Sequence, residues 1–244
     1  IIITDGYVGG QAVVEYFRGL LLTLKGTSSE AMSVSVKWDG APAVVCGINP
    51  DNGQFFVGTK AVFAQAAKIN YTKKDIAKNH GTDELGQKLL KCLVHLKKLN
   101  IQGVVQGDLL YTDEGITRKN IDGKPHLTFT PNTITYAVPE GSELSKQIDR
   151  AKLGIIFHTT YTGESLASMN AQGGADVSSF AQSPDVFFDN ASYKDVSGSA
   201  KFTDDETKQF YNSIDKLETL LSSVPRDLSS VLGQNTDFVP MFQM

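Results

Sequence analysis

Cysteine, tryptophan and histidine are scarce in this chain: two, one and four among 244 residues. Cys46 and Cys92 stand in no C-x-x-C arrangement, which excludes a disulfide framework, and a chain of this length buries enough core to need no disulfide or metal staple. Both read as reduced, buried thiols of a cytoplasmic protein. His80, His95, His126 and His158 show no metal-ligand spacing, so no zinc site is expected. No apolar run approaches the roughly 20 residues of a membrane span, the longest being 20–24. The start, IIITDGYVGG, has no basic region and no signal-peptide anatomy, and opening on Ile1 it reads as a processed product or a fragment. The phosphate-binding G-x-x-x-x-G-K-[ST] loop, the dinucleotide G-x-G-x-x-G turn and the G-x-S-x-G elbow are all missing, which argues against the common nucleotide folds and serine hydrolases. There is no internal repeat, low-complexity run or long linker.

What is present is an ordinary globular composition, 41% hydrophobic and 20% charged, with a net charge of −4 that gives no global attraction to nucleic acid. The charge is unevenly spread. Residues 60–98 carry nine lysines against Asp75, Asp83 and Glu84, while 174–196 and the stretch from 199 are acidic. The basic middle is either a polyanion-facing surface or the solvated face of helices.

Periodicity supplies the elements. Over 10–25, Val13, Val14, Phe17, Leu20, Leu21 and Leu24 form one stripe stopped by Gly26, predicting a helix that packs on the sheet that follows. Residues 33–38 alternate, and 43–48 and 54–59 flank an N-P-D-N-G loop, so the three runs predict a three-stranded antiparallel unit. A short helix is expected over 61–69, then a longer one capped by Thr82 or Asp83 with Leu85, Leu89, Leu93, Leu96 and Leu99 inside. Residues 101–112 read as a buried strand holding Asp108. Ionised carboxylates are rarely buried alone, so Asp108 belongs at a strand end in a cleft or in a pair. Beyond it come a turn at Asp122–Gly123, a hairpin about Pro131–Asn132, a helix capped by Ser142, a central strand over 153–161, a short helix with loop over 163–183 and an edge strand over 185–189. A T-x-x-E capping box at Thr203 and Glu206 opens a helix bearing Phe210, Ile214, Leu217 and Leu221, ended by Pro225. The pattern predicts one α+β domain over 1–200, with 201–244 as its helical C-terminal extension.

Chemistry concentrates in Lys37-Trp38-Asp39-Gly40. A lysine amine attacks phosphorus only in its neutral form, so a reactive Lys37 requires burial, neighbouring cations or a metal ion. Asp39 would orient it or contact a ribose, and Gly40 would let backbone approach a ligand. The bland alternative is a strand-end salt bridge followed by a turn. Lys60, 23 residues on, and Asp108, 71 residues on, have routes to the same cleft, and Phe157 offers an aromatic face for a base. His158 reads either as a catalytic group or as a hydrogen-bonded strand histidine, and Trp38 as a stacking surface or as core.

A lysine in K-x-D-G, a basic residue about two dozen positions later, an acid in Gly107-Asp108-Leu109 and then an aromatic strand resemble the covalent nucleotidyltransferases: the ATP-dependent DNA and RNA ligases and mRNA capping enzymes. The strings VKWDGAPA, GVVQGDLLYT, PNTITYAVP and HTTYTG also resemble an uncharacterised family of tailed-phage proteins. The first resemblance implies an ATP-grasp-like nucleotidyltransferase domain of antiparallel sheets flanked by helices. It implies ATP and Mg2+ as cofactors, nucleic-acid ends as acceptors, no membrane partner, and a place in the cytoplasm, the host's if the chain is phage-encoded. It further implies that Lys37 forms a lysyl-AMP, that Lys60 contacts phosphate, that Asp108 holds the ribose, that Phe157 stacks on adenine, and that Asp39 and Gly40 complete the site. The chain departs from the family after Tyr161, where no E-G-[VI]-[VI] strand and no K-x-K strand is found. Those motifs lie outside the sequence, have been remodelled, or are lost. The alternatives are a catalytically incomplete nucleotide- or nucleic-acid-binding phage accessory protein, or a structural one.

Overall fold

The computed structural model describes residues 2–25, 36–192 and 201–223. The chain divides into two compact units, residues 35–193 and a second made of 1–34 with 194–244. The elements in chain order are α1 (Ile2–Lys25), β1 (Ala43–Ile48), β2 (Phe55–Gly58), α2 (Lys73–His80), α3 (Glu84–Leu96), β3 (Val104–Thr112), β4 (Thr117–Ile121), β5 (Lys124–Phe129), β6 (Tyr136–Pro139), α4 (Glu143–Arg150), β7 (Leu153–Thr162), β8 (Asn170–Gly173), β9 (Val186–Asn190) and α5 (Asp204–Ser223). The architecture is α+β, with sheets flanked by helices. Among the described residues no helix is long and apolar enough to cross a membrane.

The larger unit is built on a six-stranded sheet in the order β2-β1-β3-β7-β8, with β9 pairing parallel to β7 beside Leu153–Phe157. The other pairings in this sheet are antiparallel. Because strand side chains alternate, β1, β3 and β7 send Val44, Cys46, Val105, Leu109, Leu153, Ile155 and Phe157 to one face. There they join Leu89, Cys92 and Leu96 of α3 in the principal core. Asp83, one of the two caps that the sequence offers, caps α3 by accepting from the Gly86 N–H. Both cysteines are free and fully buried in this core, and burial pushes the Cys92 thiol up to about 12.

The opposite face carries two separate apolar clusters. Val45, Phe56, Val62, Val104 and Leu166 form one. Leu110, Tyr111 and Ile156 form the other, with Leu127 and Phe129 of the small sheet β4-β5-β6 and Ile148 of α4. Between them lies a polar strip containing Gln106, Asp108 and His158.

Several expectations change. Residues 36–40 join no ladder, so the third strand beside β1 and β2 is β3; the rest of the run predicted over 33–38 lies outside the described residues. The helix expected over 61–69 shrinks to a 3-10 turn, Lys60–Phe63, capped by Thr59. The α2 helix, with its Thr72–Asp75 capping box, goes unread in a lysine-rich stretch of weak periodicity. In the smaller unit the stripe of α1 meets α5, where a sheet was expected: Val14 and Leu21 pack with Ile214 and Leu221. The capping box of α5 forms as predicted, Thr203 Oγ1 accepting from the Glu206 N–H at 3.2 Å. The proposed stop at Pro225 falls outside the described residues.

Leu89 is fully buried at the centre of the α3 face. Leu89→Ala is expected to cost about 2–5 kcal/mol of unfolding free energy, read from the denaturant midpoint.

Candidate functional site

The K-x-D-G segment is a strap laid over the polar strip and fastened at three places. At its start the Val36 N–H donates to the Ala191 carbonyl at 2.8 Å, just past β9. At its end the Ala41 N–H donates to the Leu109 carbonyl at 3.0 Å and the Leu109 N–H to the Pro42 carbonyl at 3.1 Å, clamping the strap on β3. Between them, the Asp39 carboxylate accepts from the Asn132 side-chain amide, the Thr133 N–H and hydroxyl and the Ile134 N–H, at 2.7–3.0 Å. The Asp39 N–H donates to the Tyr136 hydroxyl at 2.9 Å, and the Trp38 ring lies 5.2 Å from that of Tyr136. Four donors aimed at one carboxylate, the Thr133 hydroxyl foremost, hold Asp39 well below the usual carboxylate range.

Gly40 makes the crossing sterically feasible. A Cβ there would stand 2.4 Å from the Asp108 Cβ and 2.9 Å from the Asp108 carbonyl carbon, so only glycine lets the strap lie directly on β3. Asp39 and Gly40 therefore act as fasteners of the strap, the Asp39 carboxylate being held by the 132–134 turn.

Under the strap is a cavity of about 290 Å3 lined by Val36, Lys37, Trp38, Asp108, His158 and Ala191. Lys37 is exposed at its edge. On the floor, Asp108 and His158 are 19% and 28% exposed and meet at 3.3 Å, Oδ1 to Nε2. Against an ionised carboxylate Nε2 is the protonated nitrogen and donates, which leaves Nδ1, 2.8 Å from the Thr159 hydroxyl, to accept. His158 reaches Asp108 because the ladder between β3 and β7 slips at this point: Gln106 pairs with Thr159 but Gly107 with Phe157, so His158 is the extra residue of a bulge. Asp189 of β9 lies in the same cross-sheet row, opposite Ile156, which in turn is opposite Asp108. Farther along the strip the Tyr161 hydroxyl donates to Gln106 Oε1 at 2.7 Å.

Of the residues singled out in the sequence, Lys37 and Asp108 share this cavity. Lys60 does not line it; the side chain is exposed at the head of the 3-10 turn after β2, two strands from β3. Phe157 is placed on the other face. It is 0% exposed and its ring meets Phe180 edge-on at 5.4 Å in the principal core, so it offers no surface to a base above Asp108. Period-two alternation is the reason: it directs Phe157 toward α3 and leaves Ile156 and His158 facing the strip. Gly107, directly opposite, leaves room for that ring, since a Cβ there would stand 3.0 Å from the Phe157 Cδ1.

The chain as a whole is matched, over residues 1–241, by the model of a family of unknown function (DUF6267). It belongs to that family. Neither a curated protein nor a solved structure matches it.

Among the described residues of this DUF6267 chain no group of three His, Cys, Asp or Glu is placed to hold an ion. A second cavity of about 300 Å3, beside α3, carries Lys88 and Lys91, but Lys88 is paired with Glu84, and Lys91 with Asp113 and Glu114. Lysines 60, 73, 74 and 78 are exposed, as solvated helix and turn faces would be.

Two outcomes test these placements. Phe157→Ala is expected to lower stability by about 3–5 kcal/mol, as loss of a core ring does, with the Asp108–His158 hydrogen bond still visible by NMR. Because the folded Asp39 carboxyl is depressed, its contribution to stability is fully present above the ordinary carboxylate value of about 3.9 and is lost as pH falls toward the folded value. Asp39→Asn is therefore expected to be less stable than the parent at pH 7, with the gap closing below about pH 4 in acid-unfolding curves.

Proposed function

We propose that this chain is a nucleotidyltransferase of the ligase type, with Lys37 as the residue that accepts the nucleotidyl group from ATP. The observation that carries the reading is the shared cavity: a lysine at its edge, an acid on its floor and a strap that holds the two in register. Lys37 Nζ attacks the α-phosphorus, the bond to the β-bridging oxygen breaks, pyrophosphate leaves and a P–N bond forms, with the amine losing protons to a neighbouring base or solvent. The lysyl-AMP then hands its nucleotide to a phosphate-bearing acceptor, a nucleic-acid end by family resemblance, and the ATP-grasp-like fold and cytoplasmic setting belong to the same proposal. Mg2+ would enter with the triphosphate and neutralise its charge.

A second reading, nucleotide binding without transfer, is favoured by one specific observation: the burial of Phe157 removes the base platform that the resemblance assigns to a competent site. With Lys60 outside the cavity as well, phosphate contacts rest on Lys37 alone among the residues singled out in the sequence.

Incubation with α-labelled ATP and Mg2+ separates the two. Transfer predicts an acid-labile, alkali-stable label on the chain, absent in Lys37→Ala. Saturable ATP binding without label in the parent selects the second reading, and neither binding nor label with any nucleoside triphosphate overturns both.

A further inference from the structure

Lys37 is exposed at the cavity edge, and an amine that attacks phosphorus must give up its protons to a base. The same cavity holds one. We infer that His158, oriented by Asp108, is the general base that takes the proton from Lys37, an assignment that rests on the transfer reading above and gives Asp108 a positioning role in place of a ribose contact.

Three features support it. The bulge at Gln106/Gly107 is a local defect in the ladder, and its extra residue is His158, re-aimed toward Asp108 over the cavity floor. The hydrogen bond from Nε2 to Asp108 fixes the tautomer and stabilises the imidazolium that forms when Nδ1 takes up a proton, the Thr159 hydroxyl turning from donor to acceptor. Charges of both signs also stand around the imidazole. Asp108 on β3 faces it directly, Asp189 on β9 lies one row away opposite Ile156, and Lys37 on the strap is the cation lining the same cavity.

The step balances without a further reactant. A proton leaves the Lys37 ammonium through solvent to the Thr159 hydroxyl, which passes its own proton to His158 Nδ1. The freed lone pair forms the P–N bond as the P–O bond to pyrophosphate breaks, and the second amine proton is released to solvent as the phosphoramidate settles.

The test reads the amine itself. Competitive acylation of Lys37, quantified by peptide mass spectrometry across a pH series in the absence of nucleotide, is expected to show an inflection set by the imidazole in addition to the amine's own rise. His158→Gln keeps an amide donor for Asp108 but has no basic nitrogen. It is expected to abolish that inflection and slow lysyl-AMP formation about 100-fold or more; Asp108→Asn is expected to shift the inflection. A single-step Lys37 profile in the parent chain overturns the inference, as does label formation with the same rate and pH dependence in His158→Gln. The acylation profile needs no ATP, so a His158-dependent profile with no label sinks the transfer reaction and leaves only the proton coupling between His158 and Lys37 standing.

Discussion

The alternation of side chains along β3 and β7 governs what the large sheet does with each residue. Val105, Leu109, Ile155 and Phe157 go to α3 and make the principal core, while Gln106, Asp108 and His158 face the other way into a strip between two apolar clusters. A one-residue slip at Gln106/Gly107 makes His158 the extra residue of the ladder on that polar side. Core and candidate site are thus two faces of the same pair of strands, and a shift of register would exchange them. This coupling explains why an acid can stand in the middle of an apolar strand: its neighbours in sequence pack against a helix, and its neighbours in space are a histidine and an open cavity.

The strap is the second dependency. Its lysine is placed by backbone hydrogen bonds at both ends and by one carboxylate in the middle, so three of the four residues in Lys37-Trp38-Asp39-Gly40 serve to hold the first. Trp38 packs on Tyr136, Asp39 binds the 132–134 turn, and Gly40 passes over Asp108. The small sheet β4-β5-β6 therefore matters to the cavity without lining it, through the turn before β6 that receives Asp39.

Much of the architecture is legible from periodicity: β1, β2, β3, β7, α3, α4 and α5 all fall where apolar spacing and caps put them. The strap reads as a strand because Val34, Val36 and Trp38 alternate, a pattern that an irregular segment lying on a sheet shares with a true strand. Phe157 fails for a related reason. Aromatic character marks it as a surface for a base, but alternation with Leu153 and Ile155 sends it to the core face, and which face of the strand carries the core is fixed only by the sheet it joins. Asp39's partners, 93 to 95 residues away, carry no local signal either. Lys37 and Asp108 stand out in the sequence because their chemistry is unusual at the positions they hold.

The central claim is that the strip under the strap is the ligand site, and the four histidines give a direct readout of it. Side-chain NMR of His80, His95, His126 and His158 during titration with a non-hydrolysable ATP analogue is predicted to move the His158 ring resonances progressively while the other three stay in place. An analogue that binds and leaves His158 unmoved would contradict the account.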